Sequence, residues 1–420
     1  MTVPKIVVEK SGPLKGSVRI SGAKNAVLPI MAAALLAEEK CIIEDVPDLK
    51  DVNVMSAVLR SLGSEVTKLE NGSLEIYTPE IKTAEAPYEL ITKMRASFFV
   101  MGPLLARLKN AKIPLPGGCA IGARPVDLHL KGFKSLGVEI NIEHGYIEGK
   151  ADKLVGNTIY LDFPSVGATE NIMMAATLAE GVTIIENAAE EPEITDLANF
   201  LNKLGANIKG AGTDTIKITG VERLGGTRHQ VIPDRIETGT YMVAAAITGG
   251  DITIENVVPN HIKPVIAKLR ECGVDIEEMD DALRVRSTGE LKAVDVTTLP
   301  YPGFPTDLQS QFMGLMTVAN GSSVVNETVF ENRFMHVSEL TRMGAKIRIE
   351  GHSAVVEGIK RLEGAKVSAT DLRAGATLIL AGLVAEGKTE IHNIYHIDRG
   401  YVEIESKLTS LGARIYREED

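Results

Sequence analysis

Cys119 sits in the segment Pro116-Gly117-Gly118-Cys119-Ala120-Ile121-Gly122-Ala123-Arg124-Pro125, where glycine and proline place a thiol in a loop. Gly118 lets the backbone come close to a ligand, and Arg124 lies five residues on. A nearby cation favours the thiolate, so Cys119 reads as a reactive thiol; the alternative is an inert loop cysteine. Cys41 and Cys272 lack such neighbours and read as buried and inert. Three cysteines, far apart and without a CxxC pair, suggest neither a disulfide framework nor a zinc ribbon. A reducing cytoplasm is the expected compartment.

Three further groups have chemistry-bearing types. Lys24 and Asn25, in Ser21-Gly22-Ala23-Lys24-Asn25-Ala26, stand at the entry of an apolar helix. A lysine and an asparagine at a helix N-terminus suit a bound anion such as phosphate; the alternative is Asn25 as a helix cap and Lys24 in solvent. Arg95, Arg124, Arg235, Arg333, Arg373 and Arg399 are spread along an acidic chain. Arginine pairs with phosphate and carboxylate in a forked geometry, so together they point to a cleft for a polyanion, although each alone suits an ion pair. Asp307 follows Tyr301-Pro302-Gly303-Phe304-Pro305-Thr306, in the first turn of a helix expected from Thr306. It reads either as part of a plain N-cap or as a base or orienting acceptor for a substrate hydroxyl. The eight histidines show no metal-ligand spacing, so no metal is expected.

These residues must be held by elements, and the elements repeat. Six times a helix with apolar periodicity runs into a glycine and then a short alternating strand: Leu62-Gly63, Leu136-Gly137, Leu204-Gly205, Cys272-Gly273, Met343-Gly344 and Leu411-Gly412. The glycines are 68 to 74 residues apart, longer than common solenoid periods. The flanks repeat as well: Leu36-Ala37-Glu38 before Cys41-Ile42-Ile43-Glu44 matches Leu178-Ala179-Glu180 before Val182-Thr183-Ile184-Ile185-Glu186. The unit reads as strand, helix, strand, helix and extra strands, in two lobes of three. A crossing between lobes is expected near Val231-Ile232-Pro233-Asp234, and the first strands, near Ile6 to Ile20, are expected to pair with the C-terminal lobe.

At 420 residues the chain exceeds one ordinary core. A net charge of −11 and 4% aromatic residues with no Trp argue against a nucleic-acid or anionic-membrane surface. No P-loop or GxGxxG after a strand is found, so no nucleotide cofactor fold, and no cofactor, is expected. The N-terminus lacks a signal-peptide pattern, and the apolar stretch from Ala26 to Ala37 is too short for a membrane span and reads as a buried helix.

Taken in order, the motifs resemble the enolpyruvyl transferase family, on the branch that acts on UDP-N-acetylglucosamine. The carriers are Ser21-Gly22-Ala23-Lys24-Asn25, the Cys119 loop with Arg124-Pro125-Val126-Asp127-Leu128, Ser165-Val166-Gly167-Ala168-Thr169 and Pro233-Asp234-Arg235-Ile236-Glu237. They continue with Phe304-Pro305-Thr306-Asp307, Glu331-Asn332-Arg333-Phe334 and His396-Ile397-Asp398-Arg399-Gly400-Tyr401. The resemblance implies a two-domain inside-out α/β barrel of six βαβαββ units. The domains would be residues 24–231 and residues 1–23 plus 232–420, with the active site in the cleft between them. It implies transfer of the enolpyruvyl group of phosphoenolpyruvate to the 3′-hydroxyl of UDP-N-acetylglucosamine in the cytoplasm, the first committed step of peptidoglycan synthesis. That role would tie the protein to cell-wall biogenesis, cell shape and division, and make it a fosfomycin target. Lys24, Asn25, Arg124 and Arg399 match phosphoenolpyruvate contacts. Arg95, Arg124, Pro125, Val126, Asp127, Leu128, Ser165, Val166, Asp307 and Val329 match the UDP-sugar site. Cys119, Asp307, Lys24 and Arg399 match the residues of the chemistry, Cys119 as proton donor on a mobile loop. Phe163 stands where some members carry a lysine toward the nucleotide. The alternatives are a 5-enolpyruvylshikimate 3-phosphate synthase-like transferase and a non-catalytic UDP-sugar-binding paralogue.

Overall fold

A helix that must turn into a strand within a few residues needs a backbone turn that side chains resist, and glycine supplies it. In the computed structural model, which describes residues 4–116 and 126–418, all six marker glycines adopt positive φ: Gly63 112°, Gly137 92°, Gly205 110°, Gly273 96°, Gly344 91° and Gly412 96°. Each follows a helix, as Pro192–Lys203 precedes Gly205, and each leads to a strand, as Asn207–Lys209 follows it. The Ala206 N–H bonds back to the Leu201 carbonyl at 3.0 Å, closing the helix end.

The strands form six small sheets among the described residues, five of four strands and one of three. Thr158–Tyr160 runs parallel to Val182–Glu186, which is antiparallel to Thr215–Thr219, itself antiparallel to Asn207–Lys209. The other four-stranded sheets keep this pattern. In the three-stranded sheet of Asn110–Pro114, Tyr146–Lys150 and Glu139–Glu143, a parallel bridge from Glu85 to Lys112 stands where the fourth strand would be. Alternation is clear in Thr215–Thr219, where Ile216 and Ile218 are buried and their neighbours are not. The early strands pair as expected. Lys5–Glu9 lies between Lys388–His392 and Arg414–Glu418, antiparallel to both, and Lys15–Arg19 runs parallel to Asp251–Glu255.

The chain divides into two units, residues 22–116 with 126–232 and residues 4–21 with 233–418. At the centre of the first are the helices Lys24–Ala33, Met101–Leu108 and Val166–Ala176. At the centre of the second are Arg235–Thr248, Gln309–Met316 and Leu372–Gly382. These helices are buried on every side: all residues from Ala168 to Ala176 and from Gln309 to Met316 are buried. A helix apolar or small all round belongs inside, whereas Lys50–Leu62 and Pro192–Lys203 bury one stripe and expose the other. Each unit thus places helices inside and sheets outside, the inside-out α/β fold expected. The Ala26–Ala37 stretch is a buried helix, Lys24–Ala33, continued by a 3₁₀ turn, Ala34–Leu36. Among the described residues no helix is long and apolar enough to cross a membrane.

Candidate functional site

In the unit of residues 22–232, Lys24 is the first residue of a central helix whose cap position, Ala23, offers no side-chain bond. Asn25 follows it, exposed, so neither residue fits the cap alternative. The Lys24 ammonium pairs with the Asp51 carboxylate at 2.6 Å, with side chains 12% and 3% exposed. Asp51 sits in the first turn of the Lys50–Leu62 helix, where the helix dipole favours a carboxylate. Lys24 is therefore held, not solvated.

The other candidates of this unit are placed by the Val166–Ala176 helix. Ser165 caps it, accepting from the Ala168 N–H at 3.3 Å, and Val166 is its first residue. One turn in, the buried Asn171 accepts from the Gly102 N–H at 2.8 Å through Oδ1. Its amide nitrogen donates to the Phe98 carbonyl at 3.1 Å and lies 3.2 Å from His129 Nδ1. Phe98 belongs to the Arg95–Val100 turn and His129 to the Asp127–Ser135 helix. Asn171 thus brackets the elements that carry Arg95, Asp127, Leu128, Ser165 and Val166. A Cβ on Gly102 would come within 2.5 Å of the Asn171 oxygens, so that approach requires glycine. Arg95 and Leu128 are half-buried, Val126 is buried and Asp127 is exposed. Cys119, Arg124 and Pro125 lie outside the described residues. Cys41 and Cys272 are buried, and burial pushes their thiols up to about 11 and about 12, which keeps them unreactive.

In the unit of residues 4–21 and 233–418, Asp307 lies in the 3₁₀ turn Thr306–Leu308. Pro305 occupies the cap position and no side chain caps the turn. Asp307 instead accepts from Arg333 Nη2 at Oδ1, 2.7 Å, and from Arg373 Nη2 and Nε at Oδ2, 2.8 and 3.2 Å. Both arginines are nearly wholly buried, at 5% and 6% side-chain exposure, against 26% for Asp307. Burial alone would raise the Asp307 carboxyl; Arg373 and then Arg333 outweigh it and hold it well below the usual carboxylate range. Two arginines that the sequence offered for a polyanion are thus already set on an internal carboxylate.

Thr306 bonds Glu327 Oε2 at 2.9 Å, and Glu327 Oε1 accepts the Val329 N–H at 2.9 Å and the Phe330 N–H at 3.1 Å. The buried Glu327 therefore fixes the Val329 loop beside the Asp307 turn. Arg399 ends the 3₁₀ turn Ile394–Arg399, which packs against the Leu372–Gly382 helix that carries Arg373. Arg417 Nη1 holds Asp398 of the same turn at 3.2 Å. Burial, reinforced by Arg399, lowers the His396 pKa. Among the described residues no group of three or more His, Cys, Asp or Glu is arranged to hold a metal ion.

Sequence reasoning missed Asp51, Asn171 and Glu327. Each acts through a partner distant in sequence, so no local spacing marks it.

The chain resembles known proteins along its whole length. The family profile of EPSP synthase (3-phosphoshikimate 1-carboxyvinyltransferase) matches residues 8–408. UDP-N-acetylglucosamine 1-carboxyvinyltransferase 1 of Caldanaerobacter subterraneus subsp. tengcongensis is 67% identical over 98% of this chain and 99% of its own. UDP-N-acetylglucosamine 1-carboxyvinyltransferase 2 of Carboxydothermus hydrogenoformans is 63% identical over 99% of this chain and 100% of its own. Among solved structures, the enolpyruvyl transferase NikO from Streptomyces tendae superposes with a TM-score of 0.90 at 25% identity, covering 100% of both chains. EPSP synthase from Acinetobacter baumannii shares the fold, with a TM-score of 0.77 at 19% identity over 100% of both chains. This chain belongs to the EPSP synthase family of enolpyruvyl transferases.

Proposed function

We infer that the protein transfers the enolpyruvyl group of phosphoenolpyruvate to the 3′-hydroxyl of UDP-N-acetylglucosamine, releasing phosphate, in peptidoglycan synthesis in the cytoplasm. The observation that carries this reading is the 67% identity, over 98% of the chain, to a relative of that name.

The residues fit the chemistry. A proton must be added at the methylene carbon of phosphoenolpyruvate while the sugar hydroxyl attacks the adjacent carbon. Loss of phosphate, which carries away the hydroxyl proton, and return of a methyl proton to the Cys119 thiolate then restore the double bond. Cys119 delivers the first proton from its loop, and loop closure excludes water. Lys24, Asn25, Arg124 and Arg399 neutralise the phosphate and carboxylate of the donor. Arg95, residues 124–128, Ser165, Val166 and Val329 line the UDP-sugar site. Asp307 takes the sugar hydroxyl. Its Oδ2 already accepts two arginine bonds and its Oδ1 one, which leaves an acceptor position at Oδ1. A carboxylate so strongly held by two guanidiniums is a weak base, which favours orienting the hydroxyl and stabilising its developing charge over storing its proton.

A phosphate-release assay with each acceptor tests the reading. Release is expected with phosphoenolpyruvate and UDP-N-acetylglucosamine. Release with shikimate 3-phosphate and none with the UDP-sugar would overturn it. In the same assay Cys119→Ala loses most turnover, whereas Cys119→Asp keeps a proton donor, stays active and resists alkylation by the epoxide phosphonate fosfomycin.

A further inference from the structure

Behind Asp307 lies a buried polar cluster to which each central helix of that unit contributes one side chain. Thr240 comes from Arg235–Thr248, Gln311 from Gln309–Met316 and Arg373 from Leu372–Gly382. They meet at the hydroxyl of Tyr401, which is 3% exposed. Arg373 Nη1 donates to it at 3.3 Å and Gln311 Nε2 at 3.3 Å, while Thr240 Oγ1 lies 2.8 Å away.

Donor counting gives the direction of the Tyr401–Thr240 bond. A phenol oxygen has one proton to give and two acceptor positions. Both acceptor positions are filled, by a guanidinium and by an amide, so Tyr401 must donate to Thr240. Thr240 in turn donates to the Ile236 carbonyl at 2.9 Å. With Gln311 Nε2 also donating to Thr240 Oγ1 at 3.4 Å, the bonds run from Arg373 through Tyr401 and Thr240 to a backbone carbonyl. The guanidinium of Arg373 is thereby held at one edge by Tyr401 and at the other by Asp307, and its carbon lies 5.6 Å from the centre of the Tyr401 ring. The backbone N–H of Tyr401 also bonds the Ile397 carbonyl at 3.0 Å, within the turn that bears Arg399.

We propose that Tyr401 is a positioning residue for the transfer reaction: its hydroxyl, anchored by Thr240, sets the plane of Arg373 and through it the direction in which Asp307 presents Oδ1. The proposal rests on the reading that Asp307 takes the acceptor hydroxyl. Tyr401 itself need not touch substrate.

The test compares Tyr401→Phe, Thr240→Val, Thr240→Ser and Asp307→Ala by steady-state kinetics and thermal melting. Tyr401→Phe is expected to lower kcat about 10- to 100-fold, the factor for one hydrogen bond to a charged group, with the KM for phosphoenolpyruvate changed less than about twofold. Thr240→Val lowers kcat in the same way, and Thr240→Ser, which restores the hydroxyl, recovers it. The double variant Tyr401→Phe/Thr240→Val loses no more than Tyr401→Phe alone, because both break one chain. If Tyr401→Phe fails to fold, the Thr240 pair carries the test. A kcat within twofold of wild type in Tyr401→Phe and Thr240→Val, or a loss explained by the folded fraction, overturns the proposal. Retained activity in Asp307→Ala overturns instead the reading of Asp307 on which it rests.

Discussion

The two units hold their charged candidates in opposite ways. In residues 22–232, one ammonium, Lys24, meets one buried carboxylate, Asp51. In the other unit, one carboxylate, Asp307, meets two buried guanidiniums, Arg333 and Arg373. The first sets one charge of each sign together. The second leaves one positive charge over among its three groups. An anion that approaches Lys24 must share it with Asp51, whereas two guanidiniums already hold Asp307. The difference also sets what is lost when a member is removed, because an unpaired buried charge costs more than its pair contributes.

The sharpest way to break the comparison is Asp307→Ala. It strands two guanidiniums at once, so a stability loss of about 3–5 kcal/mol is expected, together with a fall in turnover of about a thousandfold. Thermal melting and phosphate release measure the two; a variant as stable as wild type would mean that the guanidiniums find other partners. Lys24→Met removes the ammonium from Asp51, for a smaller stability loss of ~1–3 kcal/mol and about a hundredfold fall in turnover. Adding Asp51→Asn should return the stability and not the turnover. Recovery of both would make Lys24 a structural partner alone.

The smallest expected effects lie in pH. Each unit buries a titratable group of opposite kind. His336 is 1% exposed with Nε2 3.2 Å from Met313 Sδ, and burial pushes its pKa down to about 4 against the pull of Asp371. The unfolded chain binds that proton near pH 6.5 and the folded one near 4, so its contribution is full above about 6.5 and is lost as pH falls toward 4. Glu170 is 1% exposed, and its Oε1 has no hydrogen-bond partner among the described residues. Burial, then Glu193 and Glu191, raise its carboxyl well above the usual range. The folded chain keeps a proton that the unfolded one releases above about 4.3, so stability falls as pH rises. His336→Gln should therefore flatten the melting profile on the acid side, and Glu170→Gln should flatten it on the alkaline side and raise the melting temperature at pH 8. Unchanged slopes would assign the pH dependence to other groups.

Much of the frame is legible in the chain because it is local. A helix end that must take positive φ asks for glycine, and Gly63, Gly137, Gly205, Gly273, Gly344 and Gly412 all do so. Strand alternation and the apolar run from Ala26 to Ala37 are equally local. The partners of the site are not. Asp51, Asn171 and Glu327 act across the fold, and a carboxylate on two arginines looks, in sequence, like a helix cap beside two unrelated loops. Thr306 and Asp307 illustrate this: their types suit an N-cap, yet Glu327, Arg333 and Arg373 offer stronger bonds. Arg333 and Arg373 were readable as anion partners, but not that the anion would be internal.

The strand Lys5–Glu9, set between Lys388–His392 and Arg414–Glu418, has a consequence for synthesis. A ribosome makes its residues long before their neighbours in the sheet. The unit of residues 22–232 has all its strands once Gln230 has emerged, and can fold while translation continues. The other unit must keep an apolar strand, Ile6-Val7-Val8, waiting while all the residues up to Lys388 are made. During that interval it is an unpaired edge exposed to chaperones and to other nascent chains, and its sheet is complete only when Arg414–Glu418 leaves the exit tunnel.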